Sequence, residues 1–381
     1  CVEVNFLSIS ERLRPLDGVR GLAAIVIAFF LHWHDNMNRD FTLLSYGYLD
    51  GRVFVELFFM ISGLTFTAFY MKRIANGSVS FSEFIYARFA RLAPLYYGSL
   101  MVVTALLLVR GVLGIAPFVY GYNDVHHFIL NFLVMQTDGL QTDAGFNAVS
   151  WTVCIEILMY LIFFILCRKI KTKHNYFAAC WILILLGYTF EKSNWNGNTF
   201  TLINANIGRG MIAFFTGSLL YFLLLCLYNC TEKIKVMMFA LLVFICCVFY
   251  VGRAEVWSHG DWWYMLTGFV FLIYPILIYL ITSVNFLRKI LMLRPLQYLG
   301  SISFTIYMCH YPVQLLLDSV NQIAKMGLNC HSNKVWILYC ILVTVVSIMV
   351  NSFFEKPVAK WLKRNKQQLW KEEKLTDLDN Y

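Results

Sequence analysis

Several polar side chains stand where the surrounding sequence is apolar, and their types suit proton transfer and the binding of anions. Arg20 is followed by an apolar stretch that ends at His32 and His34. An imidazole titrates near working pH, so a histidine in such a place can exchange a proton, although the simpler reading has Arg20 snorkelling to lipid phosphate and His32 in the interface. Glu56 lies inside Val55-Glu56-Leu57-Phe58-Phe59-Met60-Ile61-Ser62-Gly63, and Glu156 inside Ser150-Trp151-Thr152-Val153-Cys154-Ile155-Glu156. A carboxylate in hydrocarbon is costly. Glu56 is either the buried partner of an arginine or a residue of the outer rim. Either glutamate could orient an imidazole or stabilise its cation. Arg88 and Arg91 are three apart and share a helix face. Two guanidinium groups so placed suit phosphate oxygens, which they bind in bidentate fashion, although plain cytoplasmic charge is the simpler reading. His310 is a further histidine in an apolar run, read as a structural one. His32-Trp33-His34 offers two imidazoles, too few for a metal site, and no other spacing suggests a metal.

These residues need elements to hold them, and the composition says which. Of the 381 residues, 59% are hydrophobic and 14% charged. Soluble domains run at about 45–50% apolar and about 25% charged. Apolar runs approaching the length of a bilayer span recur along the chain, at 19–34, 53–71, 95–113, 149–167, 177–190, 207–228, 236–251, 263–282, 298–317 and 335–354. The expectation is an all-α polytopic membrane helix bundle of about ten transmembrane helices. Residues 125–136 are apolar but too short to cross, and a tilt or break is expected near Pro312. Residues 1–18 read as a cytoplasmic segment, 19–356 as the membrane domain and 357–381 as a polar cytoplasmic tail. The 11 cysteines show no metal-ligand or disulfide pattern. Cys154, Cys167, Cys180, Cys246 and Cys247 lie in apolar runs and read as small packing residues.

The net charge of +9 would suggest nucleic acid in a soluble chain. In a membrane chain it reports topology. With the N-terminus inside, 22 of the 31 Lys and Arg fall on cytoplasmic segments and eight on outer ones, Arg20 standing at the start of the first span. The bias appears at nearly every alternation and places both termini in the cytoplasm. The bilayer is thus the expected partner, and nucleic acid is not. Arg20 and His32, twelve residues apart, are separated by about 18 Å of helix and so sit near opposite faces. Asp17 is placed to cap the first helix.

The order of these landmarks resembles the membrane acyltransferase-3 family. The chain carries Asp-Gly-x-Arg-Gly leading to a histidine, then Phe-Phe-x-x-Ser-Gly, Arg-x-x-Arg-Leu-x-Pro and Ser-Trp-x-x-x-x-Glu. Leu-Gly-x-x-Ser-x-x-x-Tyr-x-x-His and a final Glu-x-Pro follow, all between about residues 14 and 364. The resemblance implies an enzyme that takes an acyl group, most often acetyl, from coenzyme A. It passes the group to a hydroxyl of a surface carbohydrate or a smaller acceptor, in a bacterial cytoplasmic (inner) membrane. It implies acetyl-CoA or another acyl-CoA as donor substrate and no permanently bound cofactor. It also implies Arg20 and His32 as the first-helix pair, Arg88 and Arg91 as the Arg-x-x-Arg that would hold coenzyme A, and Glu156 as the motif glutamate.

One departure bears on chemistry. The family's usual gap between that Arg and His is ten residues, and here it is eleven. On a regular helix His32 then lies about 120° around from Arg20, and His34 about 40° away. Either a π turn restores His32 or His34 takes its place. A transporter or flippase for a glycan or lipid would also tolerate buried charges in ten helices, but no inverted repeat is visible.

Overall fold

The computed structural model describes residues 6–37, 51–137, 140–141, 144–193, 204–227, 230–259 and 266–364. Among them no strand occurs. The helices are α1 (Phe6–Leu13), α2 (Pro15–Ile25), α3 (His32–Met37), α4 (Phe54–Ala75), α5 (Phe81–Val112), α6 (Val125–Phe132), α7 (Trp151–Lys169) and α8 (Lys173–Ser193). They continue as α9 (Ala205–Leu227), α10 (Glu232–His259), α11 (Tyr274–Ser283), α12 (Asn285–Leu291), α13 (Arg294–Ser301), α14 (Ser303–Ile323) and α15 (Asn333–Val350). Three π-helical segments interrupt the series, at Val26–Leu31, Phe269–Ile273 and Asn351–Glu355.

Among the described residues, eight helical stretches are long and apolar enough to cross a membrane. The other two expected spans are helices as well: α8 and α14 have 21 residues each, about 31 Å, but are less apolar than the eight. The chain is an all-α polytopic membrane bundle. The break expected near Pro312 falls elsewhere, because α14 runs unbroken through Pro312 and the chain turns at Ile302, between α13 and α14. The short apolar stretch forms the eight-residue α6. The last expected span, 335–354, lies within one longer helical stretch, Asn333–Arg364. The rest of the expected tail, 365–381, lies outside the described residues.

The chain divides into two compact units: Cys1–Ser78 with Met135–Thr142 and Cys154–Ser303, and Val79–Val134 with Asp143–Val153 and Phe304–Tyr381. In the first unit α9 packs against α4 and α8, and α13 against α2. The α4–α9 crossing is made by glycine. A Cβ on Gly63 would stand 1.9 Å from the Phe214 carbonyl oxygen, and one on Gly217 2.0 Å from that of Met60. Small residues allow such backbone contact between membrane helices. Hydroxyls join the same helices: Ser218 Oγ lies 2.5 Å from Thr67 Oγ1 on α4 and 2.6 Å from the Tyr176 hydroxyl on α8. Cys154, Cys167 and Cys180 are buried here, as packing residues should be. Cys246 and Cys247 are exposed instead, on the Glu232–Tyr250 stretch of α10, which buries little of its apolar surface within the protein.

In the second unit α5 begins with a capping box, in which Ser80 Oγ accepts from the Glu83 amide and the Glu83 carboxylate accepts from the Ser80 amide. The Tyr96 and Tyr97 hydroxyls on α5 donate to the carbonyls of Asn131 and Phe132, which fastens α6 to it. Arg110, almost fully buried at the far end of α5, reaches Asp318 at 2.7 Å, Ser319 Oγ at 2.9 Å and the Ala116 carbonyl.

Candidate active site

Two motifs meet in the first unit before any catalytic side chain is considered. Gly21 of Asp-Gly-x-Arg-Gly faces the Gly300 backbone of Leu-Gly-x-x-Ser, and a Cβ on Gly300 would stand 2.1 Å from the Asp17 carbonyl oxygen. The start of α2 is thereby locked to α13. Asp17 is not a cap. The helix starts earlier, with Pro15 at its first position, where the missing amide hydrogen costs nothing. Asp17 lies in the first turn and pairs with Arg20 at 3.6 Å.

The eleven-residue gap is taken up by the backbone. Residues Val26–Leu31 are π-helical, and the His32 amide bonds to the carbonyl of Ile27, five residues back. A π turn accommodates about one residue more than an α turn. Twelve steps from Arg20 therefore rotate like eleven, which puts His32 about 20° from Arg20 and carries His34 to about 140°. Of the two histidines, His32 shares the arginine's helix face. Both are half-buried, and Trp33 between them is fully buried. Beyond them Asp35 pairs with Arg52 at 3.5 Å.

The two glutamates have different surroundings. Glu56 is fully buried in the first turns of α4 and accepts from Arg209 Nε on α9 at 2.5 Å. Of its two sequence readings, the buried partner of an arginine is the one seen. Arg209 also donates to Asn206 Oδ1 at 3.3 Å, and Glu191 on α8 packs against the adjacent Gly208. Arg209 stands within an apolar run of the sequence, where nothing shows which carboxylate answers it. Glu156 is half-buried on α7. It accepts from Ser62 Oγ on α4 at 3.2 Å and from the hydroxyl of Tyr160, one turn on. Ser62 and Glu156 belong to two separate motifs, so the second and fourth landmarks converge. Among the described residues neither carboxylate has a histidine as its hydrogen-bond partner.

The second unit holds the rest. Arg88 is half-buried and Arg91 exposed, one turn apart near the start of α5. The Tyr86 hydroxyl donates to the Leu362 carbonyl at 2.8 Å, so the chain around Lys360, Lys363 and Arg364 lies by the same turns. His310 is fully buried in α14, its ring 5.7 Å from that of Tyr307. The fifth and sixth motifs also meet. Thr305 Oγ1 donates to Glu355 at 2.5 Å, and Asn351 Nδ2 donates to the same oxygen at 2.9 Å. The π turn Asn351–Glu355 presents both residues.

Comparison with known proteins follows the same residues. The family model described as acyltransferase domain, acyltransferase-3, matches residues 14–352. A curated protein of Rhizobium radiobacter, "Protein 2 in picA locus", is 36% identical over 121 residues, which are 31% of this chain and 56% of that protein. The chain thus spans little more than half the length of that relative. No solved structure matches.

Proposed function

Because the chain belongs to the acyltransferase-3 family, we propose that it is an integral membrane O-acyltransferase, acting in a bacterial cytoplasmic membrane. It moves an acyl group, acetyl in the first instance, from coenzyme A to a hydroxyl of an extracytoplasmic or cell-surface carbohydrate. The observation that best supports this reading is the π turn at Val26–Leu31, which keeps His32 on the face of Arg20 despite the additional residue between them.

In the proposed reaction Arg88 and Arg91 hold the phosphates of cytoplasmic coenzyme A by charge-assisted bonds. His32 takes the proton of the acceptor hydroxyl. The hydroxyl oxygen attacks the thioester carbonyl and the carbon–sulfur bond breaks. Coenzyme A leaves as its thiolate and receives the proton that His32 had taken. Arg20 and Glu156 are the charged groups of the first unit that would balance the changing charge, with Glu156 fixed by Ser62 and Tyr160.

The test is purified protein in lipid nanodiscs with isotope-labelled acetyl-CoA and a panel of oligosaccharides. Free coenzyme A and a labelled ester should appear together, and His32→Ala should remove both. A transporter would release no coenzyme A, and that result would refute the enzyme reading. Mass spectrometry of surface glycans from cells with and without the gene would then name the acyl group and the acceptor.

A further inference from the structure

The second unit carries an open cavity of about 590 Å³ that no step of the reaction above uses. This is the size of a small-ligand pocket. It lies beside the last turns of α5, at Thr104 and Leu107, and is lined by Arg110, Tyr122, Asp124, Phe128 and Phe146. Arg91 to Leu107 is 16 residues, or about 24 Å of helix, so the cavity is at the opposite end of α5 from the arginine pair.

Its walls are built rather than loose. Asn123 Oδ1 accepts from the Phe146 amide at 2.7 Å, and Asn123 Nδ2 donates to the Tyr120 carbonyl at 2.7 Å. Phe146 is held at φ 52°, a left-handed conformation that costs a non-glycine residue energy and persists only where its surroundings enforce it. Phe128 and Phe146 meet edge to face at 5.6 Å. The Tyr122 ring lies 5.3 Å from the His127 ring, and His127 Nδ1 bonds Asp124 at 2.9 Å. An aromatic face and a carboxylate are thus fixed relative to each other. The backbone and ring N–H groups of His127 hold Asp124 below the ordinary aspartate range, so it is an acceptor only.

We propose that this cavity binds a sugar ring of the acceptor, the aromatic faces covering its C–H surface and Asp124 accepting from its hydroxyls. The proposal rests on the carbohydrate reading above. A bare hydrocarbon would leave the carboxylate desolvated against apolar surface. The rival occupant is an organic cation, for which aromatic faces and a carboxylate are also suited.

The experiment uses the full chain in nanodiscs and an alkyl β-glucoside bearing a diazirine, with labelled peptides mapped by mass spectrometry. Labelling should fall within residues 104–146, be displaced by methyl glycosides, and drop at least fivefold in both Tyr122→Ala and Asp124→Asn. The asparagine keeps the helix cap and removes only the charge. Labelling elsewhere, equal labelling of both variants, or displacement by tetramethylammonium but not by glycosides would overturn the proposal. Acyl transfer to the same glycosides is read in parallel. Expected labelling without any transfer would sink the carbohydrate reading of the reaction and leave the sugar site standing. Transfer with variant-independent labelling would do the reverse.

Discussion

Ser62 donates a hydrogen bond to Glu156 across two helices and 94 positions of sequence. With Tyr160 on its other side, the carboxylate is held by two hydroxyls rather than by a cation. A charge so held costs energy unless its negative field is used. Glu156→Ala should lower acyl transfer by about 10²-fold, the range for a lost electrostatic group in a catalytic site. Ser62→Ala should lower it only a few-fold, because Tyr160 still holds the carboxylate. Initial rates with acetyl-CoA in membranes would check both. Equal loss in the two variants would mean that Ser62 does more than position.

The π turn makes a sharper prediction. Deleting Ala28 should let Val26–Leu31 close into a regular helix with His32 still on the face of Arg20, so transfer should persist within a few-fold. Inserting an alanine after Leu22, in the regular part of α2, should rotate His32 by about 100° and abolish it. His32→Ala should cost about 10²–10⁴-fold, as expected for a lost general base, and His34→Ala little. Full activity in His32→Ala would end the first-helix model.

Glu56 and Arg209 form a buried pair in which neither partner can be removed alone without leaving a charge in a low-dielectric core. Glu56→Ala and Arg209→Ala should each destabilise by about 3–5 kcal/mol. The double variant Glu56→Leu with Arg209→Leu should recover much of that. Thermal unfolding in detergent is the measurement, and additive losses in the double variant would argue against a direct pair.

Arg88→Ala should weaken coenzyme A binding about tenfold, since a hydrogen bond to a charged group contributes about 1.5–3 kcal/mol. Raising the salt concentration should reproduce part of the loss. Titration calorimetry on the His32→Ala background separates binding from turnover. An unchanged dissociation constant there would remove Arg88 from the donor site.

Asp124 caps α6 and is held below its ordinary pKa by the amide and ring of His127. A depressed folded pKa means stability that is complete above the unfolded value and lost as pH falls through the folded one. The first amides of α6 should therefore lose hydrogen-exchange protection only below the ordinary aspartate range, near pH 4 and under. In Asp124→Asn their protection should not follow pH there.

The membrane architecture was legible because apolar runs and the Lys and Arg bias are properties of composition and spacing. The convergence of Ser62 with Glu156, and of Thr305 with Glu355, was not, since nothing in a linear sequence says which helices touch. The ion pairs of Arg209 and Arg110 were hidden for the same reason, each being answered by a carboxylate far away in the chain. The π turn lay between these cases. The awkward gap between Arg20 and His32 hinted at an irregular turn, but nothing in the sequence says that the helix widens there.

The ion pair between Arg110 and Asp318 also has a consequence for biosynthesis. Its partners are 208 positions apart. At about 5–20 residues per second, the ribosome delivers Asp318 about 10–40 s after Arg110. Through that interval the end of α5 must reside in or beside the bilayer with its guanidinium answered by the Ala116 carbonyl but by no carboxylate. The second unit, drawn from segments before Val153 and after Ser303, can close only once the later segment has been made. Its assembly should therefore be the step at which truncated chains are recognised and degraded.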